Sequence, residues 1–115
     1  MATDIKKLIS DSIATKQLVL EDQDLLSAIH HAAQACIEAF KADKKVLFCG
    51  NGGSAADAQH ISAELSGRFY TDRPPLYSEA LHVNSSYMTA VANDYSYDVV
   101  YSRMVEACGR KGDVL

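Results

Sequence analysis

The chain has no apolar run long enough to span a bilayer, only two prolines, three cysteines, and a net charge of just −4. Without such a run there is no candidate transmembrane helix. The small charge excess gives no electrostatic reason to expect nucleic acid or a membrane surface as a partner. Cys36, Cys49 and Cys108 are odd in number, scattered and set among mostly apolar residues. Reduced core thiols are therefore expected rather than a disulfide framework, which fits the cytoplasm. No secretion signal is expected at the N-terminus, where Asp4, Lys6 and Lys7 interrupt the apolar residues. Repeats, linkers and low-complexity segments are also lacking. What remains, 48% hydrophobic and 23% charged residues, describes an ordinary soluble globular protein.

The 115 residues suffice for one small domain with one core. Ile5, Leu8, Ile9 and Ile13 mark an amphipathic helix reaching about Leu20, and Leu25, Leu26, Ile29, Ala33, Cys36, Ile37 and Phe40 a second over 24–42. The run Val46–Cys49 is apolar throughout, as a strand covered on both faces requires. A helix to about Phe69, a loop set by Pro74 and Pro75, and a strand over 78–83 follow. Ser85 or Ser86 is expected to cap a short helix over 87–92, and a longer helix over 97–108 to end near Gly109. Alternating strands and helices predict an α/β protein: a parallel sheet between helical layers, a Rossmann-like αβα sandwich. Residues 1–43 form a helical lead-in and 44–115 the core. The lead-in offers more apolar face than one sheet surface can cover, which predicts subunit contacts.

Ligands of such folds sit at the carboxyl ends of the strands. There the sequence places Gly50-Asn-Gly-Gly-Ser54. Gly50, Gly52 and Gly53 lack Cβ, so the backbone can take positive φ and aim its amides at one point. Ser54 is placed to cap the following helix, with Asp57 completing an S-x-x-D pattern. Free first-turn amides and the helix dipole then favour an anion, and Asn51 and Ser54 add side-chain donors. The plain alternative is a tight turn that binds nothing. Gly50, Gly52 and Ala55 also match a dinucleotide fingerprint, but that reading wants an acid at the carboxyl end of the second strand. Glu79 and Asp72 are not placed there.

Along the next helix Asp57, His60 and Glu64 form one row, while Ala55, Ala56 and Ala58 allow close packing on a sheet. His60 and Glu64, one turn apart, are either two ligands of a metal or a surface pair worth a few tenths of a kcal/mol. Two ligands alone make an incomplete zinc site. Chemistry on a phosphorylated molecule needs the anion turn and this pair close together, and Glu64 is a candidate catalytic carboxylate.

Gly50-Asn-Gly-Gly-Ser54, Asp57-Ala-Gln-His60, Ala63-Glu-Leu-Ser-Gly-Arg68, Ala92-Asn-Asp94, Tyr101-Ser-Arg103 and Glu106 through Asp113 together resemble the sugar isomerase (SIS) domain of the phosphoheptose isomerases. The resemblance covers essentially the whole chain. It implies interconversion of sedoheptulose 7-phosphate and a manno-heptose 7-phosphate through an enediol, towards the heptose of bacterial lipopolysaccharide or related glycans. It implies substrate contacts from Asn51, Gly52, Gly53, Ser54, Asn93 and Asp94, zinc ligation by His60 and Glu64, and a general-base role for Glu64. It further implies a homotetramer with active sites at subunit interfaces. Chains of this family continue past Leu115 into a second phosphate loop and a helix carrying a glutamine and a histidine. The chain thus resembles the first part of the domain, and its isolated activity is not expected. A non-catalytic SIS protein that binds a protein partner, or a sugar-phosphate sensor, is the alternative; the carboxylate at Glu64 argues for the enzyme.

Other residues have plainer readings. Arg68 either reaches a phosphate or complements a helix dipole, and Arg103 and Glu106 form a solvated pair. Tyr95, Tyr97 and Tyr101 are packing or interface residues, and His30 and His31 lie on a helix surface.

Overall fold

Aspartate side chains start the first two helices. In the computed structural model, which describes residues 4–115, Asp4 accepts a hydrogen bond from the Lys7 amide at 3.1 Å, at the head of α1 (Ile5–Glu21). Asp22 accepts from the Leu25 amide at 2.9 Å, at the head of α2 (Gln23–Lys41). Each carboxylate satisfies an amide that has no partner within its helix. The first three residues of the expected helical lead-in lie outside the described residues.

Contacts within the chain group into two units, one up to Ala35 and one over Cys36–Leu115. The first unit holds α1 and most of α2. No residue of α1 is buried, and Ile5, Leu8, Ile9 and Ile13 are each more than half exposed. No described helix is long and apolar enough to cross a membrane.

The second unit contains β1 (Val46–Phe48), α3 (Gly53–Ser66), β2 (Ser78–Ala80), α4 (Ser85–Asp94), a 3-10 turn at Tyr97–Val99 and α5 (Val100–Cys108). β1 and β2 pair in parallel, Val46 opposite Ser78 and Phe48 opposite Ala80. On its other edge β1 meets Val114, where the Leu47 amide donates to the Val114 carbonyl at 2.8 Å and the Val114 amide to the Lys45 carbonyl at 3.1 Å. β1 thus lies between two neighbours, and burial of the successive residues Val46 and Leu47, which point to opposite faces, explains its wholly apolar sequence. Val46 and Leu47 are buried with Leu81, Val91 and Val100, each such side chain contributing about 1.5–3 kcal/mol. The buried residues of α3, which packs on both strands, are Ala58 and Ser62, small residues one turn apart. The α/β class is the expected one.

Several boundaries differ from the sequence reading, each for a local reason. β2 stops at Ala80: the Leu81 amide makes a last bond to the Phe48 carbonyl at 2.8 Å, and the chain then turns. α3 ends at Ser66 rather than near Phe69, because the Arg73 guanidinium returns to its last turn. It donates to the Glu64 carbonyl at 2.9 Å and the Leu65 carbonyl at 2.8 Å, acceptors that a longer helix would have filled with its own amides. The expected helix over 97–108 begins as the tighter 3-10 turn. Asn84, not Ser85 or Ser86, caps α4 and accepts from the Tyr87 amide at 3.0 Å. No cysteine is a core residue: Cys36 and Cys108 are half-buried and Cys49 is exposed, all three as free thiols.

One ion pair ties the segment beside β1 to the strand. Lys45 Nζ lies 2.6 Å from Asp113 Oδ2, both side chains largely shielded from solvent. The Lys45 and Arg110 amides also donate to this carboxylate, at 3.1 and 2.7 Å. The hydrogen bond from Lys45 chiefly, with both amides assisting, holds the Asp113 carboxyl at about 2. The unfolded value is about 3.9, so the folded state favours the charged form. That stabilisation is complete above about pH 4 and is lost as pH falls towards 2. We expect Asp113→Asn to lower the melting temperature at pH 7 and to flatten its decline in acid. Thermal melts from pH 2 to pH 7 measure both effects, and parallel curves for the two proteins would contradict this account.

Candidate functional site

β1 ends at Phe48, and four residues, Cys49 to Gly52, carry the chain into α3. Gly50 is required by packing. A Cβ there would lie 2.7 Å from Ser54 Cβ and 2.8 Å from its carbonyl carbon, so the helix closes directly over the turn. Gly52 is required by conformation, with φ +56°, a region that costs other residues energy. Gly52 is also the N-cap of α3, and no side chain caps this helix. Ser54 therefore lies inside the first turn, and the expected Ser54–Asp57 capping box does not form. The Asn51 carbonyl takes the Ser54 amide at 3.0 Å, replacing a side-chain cap. Among the described residues, the Gly52 and Gly53 amides and the Ser54 hydroxyl have no protein acceptor or donor. All of them, with Asn51, face solvent. This group of exposed donors at a helix N-terminus suits an anion.

Two tyrosines read as packing or interface residues hold this turn instead. Tyr101 Oη donates to the Gly50 carbonyl, and Tyr97 Oη donates to Asn51 Oδ1 at 2.6 Å. Burial, with Tyr97 beside it, pushes the Tyr101 phenol above its ordinary value, so it remains a neutral donor. Tyr95 stacks under the Arg103 guanidinium at 4.3 Å, and no Arg103–Glu106 ion pair forms among the described residues. Asn93 and Asp94 end α4, where Asn93 Nδ2 donates to Asp94 Oδ1 at 3.1 Å. Both are exposed, and no hydrogen bond joins them to the turn among the described residues.

The His60–Glu64 pair lies elsewhere. His60 Nε2 is 3.1 Å from Glu64 Oε1, with the two side chains 75% and 37% exposed. Both line a cleft of about 500 Å3 with Ile61, Leu65, Phe69 and Arg73. The expectation that pair and anion turn sit close together is not met within one chain. Glu64 follows Gly53 by three turns of α3, about 16 Å at 1.5 Å per residue. An imidazole nitrogen and a carboxylate oxygen converging on one point suit zinc. No third histidine, cysteine, aspartate or glutamate joins them among the described residues. Arg73 was missed as a neighbour of this cleft, its only signal in the sequence being a position just before Pro74 and Pro75.

Residues 8–115 match the SIS domain family. The chain belongs to that family. It is 50% identical over 110 residues to the phosphoheptose isomerase of Mycobacterium tuberculosis, a match covering 96% of this chain and 56% of the relative. The structure of a phosphoheptose isomerase from Neisseria gonorrhoeae superposes with a TM-score of 0.84 at 39% identity, covering 95% of this SIS chain and 55% of that one. The phosphoheptose isomerase from Francisella tularensis gives 0.82 at 34% identity, covering 97% and 59%. This SIS-domain chain thus spans little more than half the length of the relatives it matches.

Proposed function

We propose that the full-length protein is a phosphoheptose isomerase, interconverting sedoheptulose 7-phosphate and D-glycero-D-manno-heptose 7-phosphate on the way to a heptose-containing glycan. The observation that carries this reading is the open glycine turn. Its unpaired Gly52 and Gly53 amides, the Ser54 hydroxyl and the Asn51 amide offer a phosphate several donors at once. The 50% identity to a phosphoheptose isomerase supports it independently.

In this reading the turn grips the phosphate and orients the open-chain sugar, with Asn93 and Asp94 as further contacts. Glu64 takes a proton from the carbon beside the carbonyl, leaving an enediolate, and returns it to the former carbonyl carbon, while an acid–base group from outside this chain moves the hydroxyl proton between the two oxygens. Because α3 holds the turn and Glu64 at opposite ends, one sugar phosphate is served by the turn of one copy and the carboxylate of another. That geometry supports a homo-oligomer, a tetramer in our reading, with active sites at its interfaces, and the exposed apolar stripe of α1 offers a surface for such assembly. His60 and Glu64 would hold a zinc ion with ligands from outside this chain, and zinc supplies polarisation of a carbonyl; a carboxylate held on a metal is a poorer base, so the two roles of Glu64 belong to different states. The three free thiols suit the reducing cytoplasm.

Purified full-length protein is expected to convert sedoheptulose 7-phosphate, and metal analysis to find zinc that His60→Ala removes. Retained folding and phosphate binding with no conversion would replace the isomerase reading with that of a sensor or partner-binding SIS protein.

A further inference from the structure

The glycine turn is held by side chains that arrive from far along the chain. Tyr97 and Tyr101 are one turn apart; Tyr97 reaches Asn51, and Tyr101 reaches both Gly50 and Asn51. A phenol has one proton to donate. The Gly50 carbonyl is only an acceptor, so the Tyr101 proton is committed there, and the 3.3 Å approach of Tyr101 Oη to Asn51 Oδ1 is secondary. The Tyr97 proton then goes to Asn51 Oδ1. Turning the Asn51 amide over would replace the Tyr97 donation by one from Nδ2 to the phenol oxygen, and the Tyr97 proton would lose its acceptor on Asn51. With Oδ1 so held, Asn51 Nδ2 has no protein partner among the described residues, and the residue is exposed beside the Gly52 and Gly53 amides.

We propose that Tyr97 and Tyr101 are positioning residues: they fix the Asn51 amide with its nitrogen outward, as a preset donor to the phosphate of the sugar. The proposal rests on the phosphosugar reading of this turn. A freely rotating asparagine presents oxygen as readily as nitrogen, and oxygen repels phosphate. The tyrosines therefore select the binding orientation before ligand arrives, which lowers the ordering cost of binding. They also tie the turn at two points, the Gly50 carbonyl and the Asn51 side chain.

A double-mutant cycle on the full-length protein tests this, read as the KM for sedoheptulose 7-phosphate and the Kd for inorganic phosphate. Asn51→Ala is expected to weaken both about tenfold, as loss of a hydrogen bond to a charged group does. Tyr97→Phe is expected to weaken both about fivefold, with kcat and melting temperature nearly unchanged. Tyr101→Phe, which releases the Gly50 carbonyl, is expected to act in the same direction. In the Asn51→Ala background, Tyr97→Phe should add nothing, because the group it positions is gone. An equal, additive effect of Tyr97→Phe in both backgrounds would show a merely structural role and overturn the proposal, leaving the phosphosugar reading intact. Unchanged phosphate affinity in Asn51→Ala would overturn the proposal, and absence of phosphate binding by the unaltered protein would overturn the phosphosugar reading as well. Phosphate binding that follows the cycle without any turnover would uphold the positioning role and reject the isomerase.

Discussion

Glu64→Gln is expected to reduce turnover of sedoheptulose 7-phosphate by the full-length protein by about 10²–10⁴-fold, the usual contribution of a positioned general base. The substitution keeps the size and shape of the side chain and removes its negative charge, which abolishes proton uptake and weakens any zinc held with His60, so zinc content is measured alongside. Its effect on the fold should be slight. The Glu64 carboxylate has His60 as its side-chain partner at 3.1 Å, and His60 is three-quarters exposed. Such an i, i+4 pair contributes a few tenths of a kcal/mol. The backbone contact at this residue, from Arg73 to the Glu64 carbonyl, survives the change. The measurement is kcat beside a thermal melt. Wild-type turnover in the variant would remove Glu64 as the base, and a collapse in melting temperature would show that the residue acts through the fold instead.

The second large effect is expected at Gly50. The Cβ of Gly50→Ala would meet three atoms of Ser54 at 2.7–2.9 Å, two of them backbone. No side-chain rotation relieves a clash with backbone, so the first turn of α3 must move away from β1. Overpacking of this kind costs about 1–3 kcal/mol, and here it also displaces the carbonyl that Tyr101 holds. Phosphate affinity should fall at least as far as the melting temperature suggests. Gly53→Ala is the matched control: nothing lies within 4 Å of its Cβ position and its φ is not positive. It keeps the backbone amide and, inside a helix, gains propensity. Calorimetry and phosphate titration of the two variants should therefore diverge sharply, and equal behaviour would show that α3 does not close over the turn as described.

Much of this arrangement was legible before any coordinates, and the divide follows the range of the interactions. Helix faces, the apolar β1 and the glycine turn are set by residues within a few positions of each other, where backbone sterics and periodic burial act. Local competition explains the near misses: Asn84 over Ser85 as a cap, Gly52 over Ser54, and the Arg73 guanidinium in place of further helix. Features that join distant parts of the chain were not legible. Tyr97 is 46 residues from the amide it holds, and Lys45 is 68 from the carboxylate that pairs with it. Nothing in local spacing marks either as a partner, since each contact exists only once the sheet has brought its strands together.

The sequence by itself thus determined the α/β class, the glycine turn between β1 and α3, and the placing of His60 and Glu64 one turn apart, because each is written in neighbouring residues under short-range rules. Only the tertiary structure decided that tyrosines clamp the turn, and that a rigid helix keeps the turn and the pair apart. In the proposed reading that separation places the reaction at the junction of two copies, because a helix of fixed rise cannot bring its two ends onto one substrate.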